Sequence, residues 1–202
     1  DRETADLAVR LAQQGHLVLS TLAASDAACA LFGLLHLGVD PYLLATTVNL
    51  VQAQRLVRRI CPKCTFDDTA GVASKTLLEL GFTRRQVGAL RLMKGRGCTA
   101  CNGTGYKGRV GLFETLEVTG WIRDLILAGA GAAEIRDKAI EEGMVTLRMS
   151  GLEKIEAGVT TVEEVLRETV PDPASTVAEQ SPGGSAPSPD GDGPGEAPTP
   201  TE

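Results

Sequence analysis

Four of the five cysteines in this chain stand in two matched pairs, "CPKC" at Cys61 and Cys64 and "CTAC" at Cys98 and Cys101, giving the pattern Cys-x2-Cys-x33-Cys-x2-Cys. Two thiolates spaced by two residues grip one side of a metal ion, so two pairs complete a tetrahedral shell. Glycines follow the second pair in "CNGTGYKGR", and Gly103 and Gly105 permit the left-handed backbone that a tight turn around a metal needs. Closing the loop between the pairs costs about 4 kcal/mol of chain entropy. A structural Zn²⁺ contributes about 10 to 16 kcal/mol at neutral pH and offsets that cost. Four sulfur ligands leave no open position for water, so the pattern predicts a structural Zn²⁺ rather than a catalytic one. An iron–sulfur centre and two disulfides use the same residue count and stay open at this point; no secretory signal favours the disulfides.

Composition divides the chain. Residues 171–202 hold eight of the ten prolines and six acidic side chains but no Lys or Arg, leaving 20 basic against 20 acidic side chains in residues 1–170. Such a segment cannot bury enough apolar surface to offset its ordering entropy, and it reads as a disordered, acidic Pro/Gly/Ser-rich tail. The longest charge-free apolar run, Ala27 to Val39, is 13 residues, too short to span a bilayer. The first residue is Asp1 rather than Met, which fits a fragment or a processed product.

Periodicity predicts a helix in "RETADLAVRLAQQG", a short buried strand in "HLVLSTL", and a helix through "AACALFGLLHLG" capped by Asp26. Pro41 suits the first turn of a further helix, "YLLATTVNLVQAQ", and "QRLVRRIC" reads as a strand feeding the first cysteines. This order fits the second half of an α/β layer. Between the cysteine pairs, helices are expected near 74–80 and 83–89. A strand, "RVGLFETLEV", and four helices follow: "WIRDLILAG", "AAEIRDKAIEEG", "TLRMSGLEKIEAG" and "TVEEVLRET", the last with a capping pattern at Thr160 or Thr161.

Residues 55–109 carry 12 Lys or Arg against three Asp or Glu. Part of this charge offsets a zinc tetrathiolate of net charge −2; the rest suits a phosphate, a nucleic acid or an anionic membrane. With seven aromatics in the whole chain, base stacking has little to work with, which argues against nucleic acid. Cys29 reads as core packing, and His16 and His36 have no metal-ligand spacing. No catalytic residue, nucleophile motif, dinucleotide fingerprint or Walker A loop is evident.

Taken together, "RETADLAVRLAQQGHLVLSTL", "QAQRLVRRICPKC", "CTACNGTGYKGRVGLFE" and "GMVTLRMSGLEKIEAGVTTVEEVLRET" resemble, in that order, the GspE/PilB family of hexameric ATPases of type II secretion and type IV pilus assembly. The resemblance runs from Asp1 to about Thr169. It implies an α/β fold in which 1–60 is the C-terminal part of a RecA-like P-loop NTPase core. Residues 61–109 would be a zinc-binding insert, 110–170 a C-terminal strand with a helical subdomain, and 171–202 the tail. By the same resemblance Asp1 ends a Walker B motif, and the P-loop, the Asp box and the catalytic glutamate lie upstream. The family reads Ser-Thr-Leu-His-Thr-Asn-Asp where this chain has "STLAASD"; Ser20, Thr21, Leu22 and Asp26 match, and Ala23 replaces the histidine implicated in nucleotide response. Thr21, Asp26 and Arg55 become nucleotide-sensing candidates, with Arg58 and Arg59 as further contacts. ATP and Mg²⁺ would serve the full-length parent, a bacterial homo-hexamer in the cytoplasm, peripheral at the inner membrane and working on platform proteins there. The chain alone is expected to be inactive. A free-standing zinc-binding adaptor remains the alternative, since "CTACNGTG" also matches the Cys-x-x-Cys-x-Gly-x-Gly repeat of DnaJ-type chaperone cofactors.

Overall fold

The computed structural model describes residues 1–172; the expected tail lies, from residue 173 onward, outside the described residues. The described part is a mixed α/β chain of nine α-helices and four strands. Helix α1 (Arg2–Gln13) starts where the Asp1 carboxylate accepts a hydrogen bond from Thr4 N at 2.8 Å. Helix α2 (Ala27–His36) is capped in the same way, Asp26 accepting from Cys29 N at 2.8 Å. Helix α3 (Pro41–Thr47) has Asp40 as its cap and Pro41 in its first turn.

Two expectations for this region are corrected. "HLVLSTL" forms no strand: its residues have no regular secondary structure, with Leu17 88% and Leu19 86% exposed. A strand requires backbone partners, and among the described residues none lies beside it. The helix expected through Gln54 stops at Thr47. Thr46 and Thr47 turn their hydroxyls back onto the carbonyls of Tyr42 and Leu43, and from Leu50 onward the chain is a strand that pairs with a distant one instead.

That strand, β1 (Leu50–Ile60), pairs antiparallel with β4 (Tyr106–Glu117) from Leu50↔Glu117 to Arg58↔Arg109, with an irregularity before Ile60↔Tyr106. The ribbon has two unlike faces. Val57, Leu112, Glu114 and Leu116 are buried, whereas Gln52, Gln54, Phe113 and Thr115 are exposed. Chain 61–105 crosses the far tip of this ribbon. It carries a short pair, β2 (Thr65–Asp67) with β3 (Met93–Gly95), and helices α4 (Ser74–Leu80) and α5 (Arg84–Ala89), at the expected places. After β4 come α6 (Gly120–Leu127), α7 (Ala132–Glu141), α8 (Leu147–Glu156) and α9 (Val162–Glu168). Thr119, Thr146 and Thr161 cap α6, α8 and α9.

Besides a small cluster of Val57, Leu112 and Leu147, two larger apolar clusters hold these elements. The larger joins Ala5, Ala28, Leu31 and Leu44 to Leu116, Ile122, Ile126 and Ile135. The second joins Leu77, Leu80, Phe82 and Leu92, from between the cysteine pairs, to Ile155, Val162 and Val165 of the C-terminal helices. Chain 65–92 therefore shares a core with α8 and α9. Among the described residues no helix is long and apolar enough to cross a membrane.

Two buried glutamates tie the ribbon to the helices. Glu114 accepts from Ala27 N at 2.8 Å and Leu147 N at 3.1 Å, so one side chain meets the starts of both α2 and α8. Burial raises its pKa, although the two amides oppose the shift. Glu164, 1% exposed, accepts from Arg58 Nη2 at 2.6 Å and Arg58 N at 2.9 Å, and meets Arg167 at 2.8 Å. Burial pushes the Glu164 carboxyl upward, but the Arg58 hydrogen bonds and charge outweigh it, and the net shift is downward. A carboxylate depressed in the folded state stabilises the fold fully above its unfolded value near 4.5 and loses that contribution as pH falls through the folded value. Arg58 and Arg167 are half exposed, so screening keeps the contribution to about 2 kcal/mol. Glu164→Gln should therefore lower stability at pH 7 by about that amount and flatten the loss of stability below pH 4.5, read by urea unfolding across pH. Parallel wild-type and variant curves at every pH would contradict this.

Candidate metal centre

Ile60 ends β1 and Tyr106 begins β4, so the ribbon delivers Cys61 and the turn after Cys101 to one place. The first pair sits on a tight turn in which Cys64 N donates to Cys61 O at 3.3 Å. The second is a 3₁₀ turn, Thr99–Cys101, in which Cys101 N and Gly103 N both donate to Cys98 O, at 3.2 and 2.9 Å. Gly103 and Gly105 follow with φ of 76° and 77°, as the sequence predicts, and Asn102 joins them at 51°.

The two turns lock together through backbone: Cys61 N donates to Gly105 O at 2.9 Å and Arg96 N to Cys64 O at 3.0 Å. Such approach leaves no room for side chains. A Cβ on Gly95 would collide with the Gly105 carbonyl, and one on Gly97 would lie 2.5 Å from Gly103 O. Sequence reading missed these two glycines. Their signal was present, since "KGRGC" places two glycines just before the second pair much as "CNGTG" places two after it.

The four Sγ atoms of Cys61, Cys64, Cys98 and Cys101 all lie within 4.8 Å of one another. Three separations are 3.9 Å (Cys61–Cys98), 3.8 Å (Cys64–Cys101) and 3.8 Å (Cys98–Cys101). A tetrahedron with metal–sulfur bonds of about 2.3 Å has edges of about 3.8 Å. Disulfide sulfurs would instead be about 2.05 Å apart, and a cluster of several irons would spread its cysteines over different metals. The cage therefore fits a single tetrahedral ion such as Zn²⁺.

Hydrogen bonds prepare the sulfurs for a cation. Cys98 N and Gly105 N donate to Cys101 Sγ at 3.2 and 3.3 Å. Burial pushes the Cys101 thiol up, yet these amides outweigh it and bring it down to about 6. Cys64 goes the other way, pushed up to about 12 by burial and by the neighbouring sulfurs. Without a cation the four sulfurs cannot ionise together; a divalent ion removes that conflict.

The remaining sequence-selected residues gather elsewhere. Asp26 caps α2 and meets Arg136 of α7 at 2.6 Å, a partner with no signal in sequence. Burial would raise the Asp26 carboxyl, but its hydrogen bonds and Arg136 hold it below the usual range. Arg55 Nη2 donates to Ala24 O at 3.3 Å, and Arg55, Asp26 and Arg136 line one cavity with Glu114 and Arg148. Thr21 is exposed in the irregular segment before Asp26. Arg58 is bound to Glu164 and stacks on the Tyr106 ring at 4.1 Å. The cysteines line no part of that cavity.

The family model described as Type II/IV secretion system protein matches residues 1–167. The chain belongs to that family. It is 42% identical over 172 residues to the type IV pilus assembly ATPase PilB of Myxococcus xanthus, covering 85% of this chain and 30% of the relative. Against PilB of Thermus thermophilus it is 44% identical over 170 residues, covering 84% and 19%. The type II secretion system protein E of Klebsiella pneumoniae is 40% identical over 169 residues, covering 84% and 33%. The chain thus spans at most a third of the length of these relatives.

The geometry predicts one zinc per purified chain. Cys98→Ala should abolish the bound metal and lower the thermal midpoint by several degrees, read by elemental analysis and calorimetry. Zinc content unchanged in Cys98→Ala would contradict the assignment.

Proposed function

We propose that residues 1–169 form part of a hexameric motor ATPase that powers type IV pilus assembly or type II protein secretion. The carrying observation is identity of 40 to 44% to PilB and secretion protein E over 84 to 85% of this chain. In this reading residues 1–60 complete a RecA-like core, 61–109 form a zinc-stapled insert, and 110–170 make the C-terminal subdomain. The whole protein works at the cytoplasmic side of the inner membrane against platform proteins, and ATP with Mg²⁺ is its fuel.

Within this segment the residues divide the work by chemistry. Thr21 and Ser20 offer hydroxyls on the irregular stretch that leads into the Asp26 cap, where a γ-phosphate would be felt. The Asp26–Arg136 pair and the Glu114 cap would pass a displacement of that stretch to α7 and α8. The zinc centre stiffens the ribbon tip so that the motion reaches the second core undamped. Phosphoryl transfer also needs a phosphate cradle, bound Mg²⁺ and a group that positions water. No Gly-x4-Gly-Lys-Ser/Thr loop occurs in the 202 residues, and Ala23 stands at the family's histidine position.

The chain alone should therefore show no ATP turnover above buffer at any Mg²⁺ concentration. Grafted into a PilB-type relative in place of the matching segment, it should support hexamer formation and hydrolysis, and Ala23→His should raise the turnover of that chimera. A folded, hexameric chimera without turnover, with or without Ala23→His, would contradict the proposal. So would turnover by the isolated chain.

A further inference from the structure

The basic charge of this chain is concentrated where the cysteines are. Residues 55–109 hold 12 Lys or Arg against three Asp or Glu, whereas the rest of 1–172 holds eight against 18. Nine of the 12 cations are exposed and take part in no salt bridge among the described residues. Two of the three acids, Asp68 and Glu79, are already paired, with Lys94 and Lys75. Five of the unpaired cations surround the cysteine cage. Arg59 precedes Ile60, the last residue of β1, and Lys63 sits inside the first cysteine turn. Arg96 N donates to Cys64 O at 3.0 Å, Lys107 follows Tyr106, which pairs with Ile60, and Arg109 stands opposite Arg58. A zinc tetrathiolate accounts for two negative charges, so this face keeps a positive excess.

A polyanion of opposite sign lies in the same chain. Residues 173–202 contain Glu179, Asp190, Asp192, Glu196 and Glu202 and no Lys, Arg or His, so nothing in them is repelled by that face. Their point of departure is fixed. Arg148 Nη2 donates to Thr169 O at 2.8 Å, Thr146 Oγ1 donates to Asp172 at 2.8 Å, and Val170 and Asp172 line one cavity with Arg55 of β1. From Arg55 the ribbon needs about 20 Å to reach Cys61. Thirty residues of chain cover about 30 Å even when coiled. Four of the five acids fall in residues 190–202, the part with the longest reach. Tethered at that distance, they face the cage at an effective concentration on the order of 1 mM.

We infer that residues 190–202 dock on the basic face around the cysteine cage, on Arg59, Lys63, Arg96, Lys107 and Arg109, and keep other polyanions off it. Exposed ion pairs are weak singly, so four acids shared over five cations give a contact that salt removes. The segment acts as a charge cover: a ligand denser in negative charge displaces it and gains the zinc-stapled tip. The inference goes beyond the motor reading and does not rest on it; it needs only the cage to hold these five cations together.

The test compares the isotope-labelled, zinc-loaded 202-residue chain with a variant carrying Asp190→Asn, Asp192→Asn, Glu196→Gln and Glu202→Gln. Amide NMR shifts should differ between the two at Arg59, Lys63, Arg96, Lys107 and Arg109. Those differences should persist on dilution and vanish in salt of about 0.5 M, where charges are screened beyond about 4 Å. Lys63→Gln with Lys107→Gln, both exposed, should shrink them about twofold without touching the fold. A fluorescent decaglutamate probe should bind the neutral-tail variant about tenfold more tightly than the wild type. Matching spectra of the two chains at low salt would overturn the inference, and differences confined to other residues would do the same. Differences that fade on dilution would place the segment on a second copy and equally contradict it. So would phosphatidylglycerol vesicles that bind both chains with the same affinity, since the face would then be open to a membrane.

Discussion

Four cysteine sulfurs held within 4.8 Å of one another cannot all carry negative charge unless a cation sits among them. Much of the structure follows from that constraint. The ribbon of β1 and β4 is a two-stranded sheet, marginal by itself in water, and its far end splays into separate chains after Ile60 and before Tyr106. The cysteine cage closes that end. It also fixes where chain 65–97 leaves and returns, so Leu77, Leu80 and Phe82 reach the apolar sides of α8 and α9. The crossing backbones at Gly95 and Gly105 belong to the same closure, since no other residue type fits there.

The other end of the ribbon is organised by charge. Glu114 lies on the buried face of β4 and satisfies first-turn amides of α2 and α8 together, a task that needs an acceptor with two oxygens. Glu164 does comparable work from the helical side, clamping β1 through Arg58. These ion and helix-end contacts join elements that are 87 and 106 residues apart in sequence. A shift at the Asp26 turn accordingly has a polar route into the C-terminal helices.

Much of this was legible from sequence, and the misses have physical causes. The cysteine spacing, a cap at Asp26 and one at Thr160 or Thr161, and helices near 74–80 and 83–89 were readable because each rests on contacts between residues close in sequence. "HLVLSTL" misled because apolar alternation reports only a wish for a partner, whereas Leu17 and Leu19 find none among the described residues. The stretch 48–54 misled because Val48, Leu50, Val51 and Ala53 satisfy helical and strand spacing equally, and β4, more than 50 residues away, decides between them. Arg136, Glu114 and Arg148 had no local signal, because their roles arise from the meeting of distant elements. Gly95 and Gly97 had one, but a glycine's need for space shows only when the opposing backbone is in place.

The central claim is that one tetrahedral zinc ion in an all-sulfur cage staples this ribbon. X-ray absorption at the zinc edge of the purified chain tests it directly. The account predicts four sulfur neighbours at about 2.3 Å, with no metal–metal scattering and no oxygen or nitrogen ligand. A shell containing nitrogen or oxygen, a second metal at short range, or no zinc at all would contradict it.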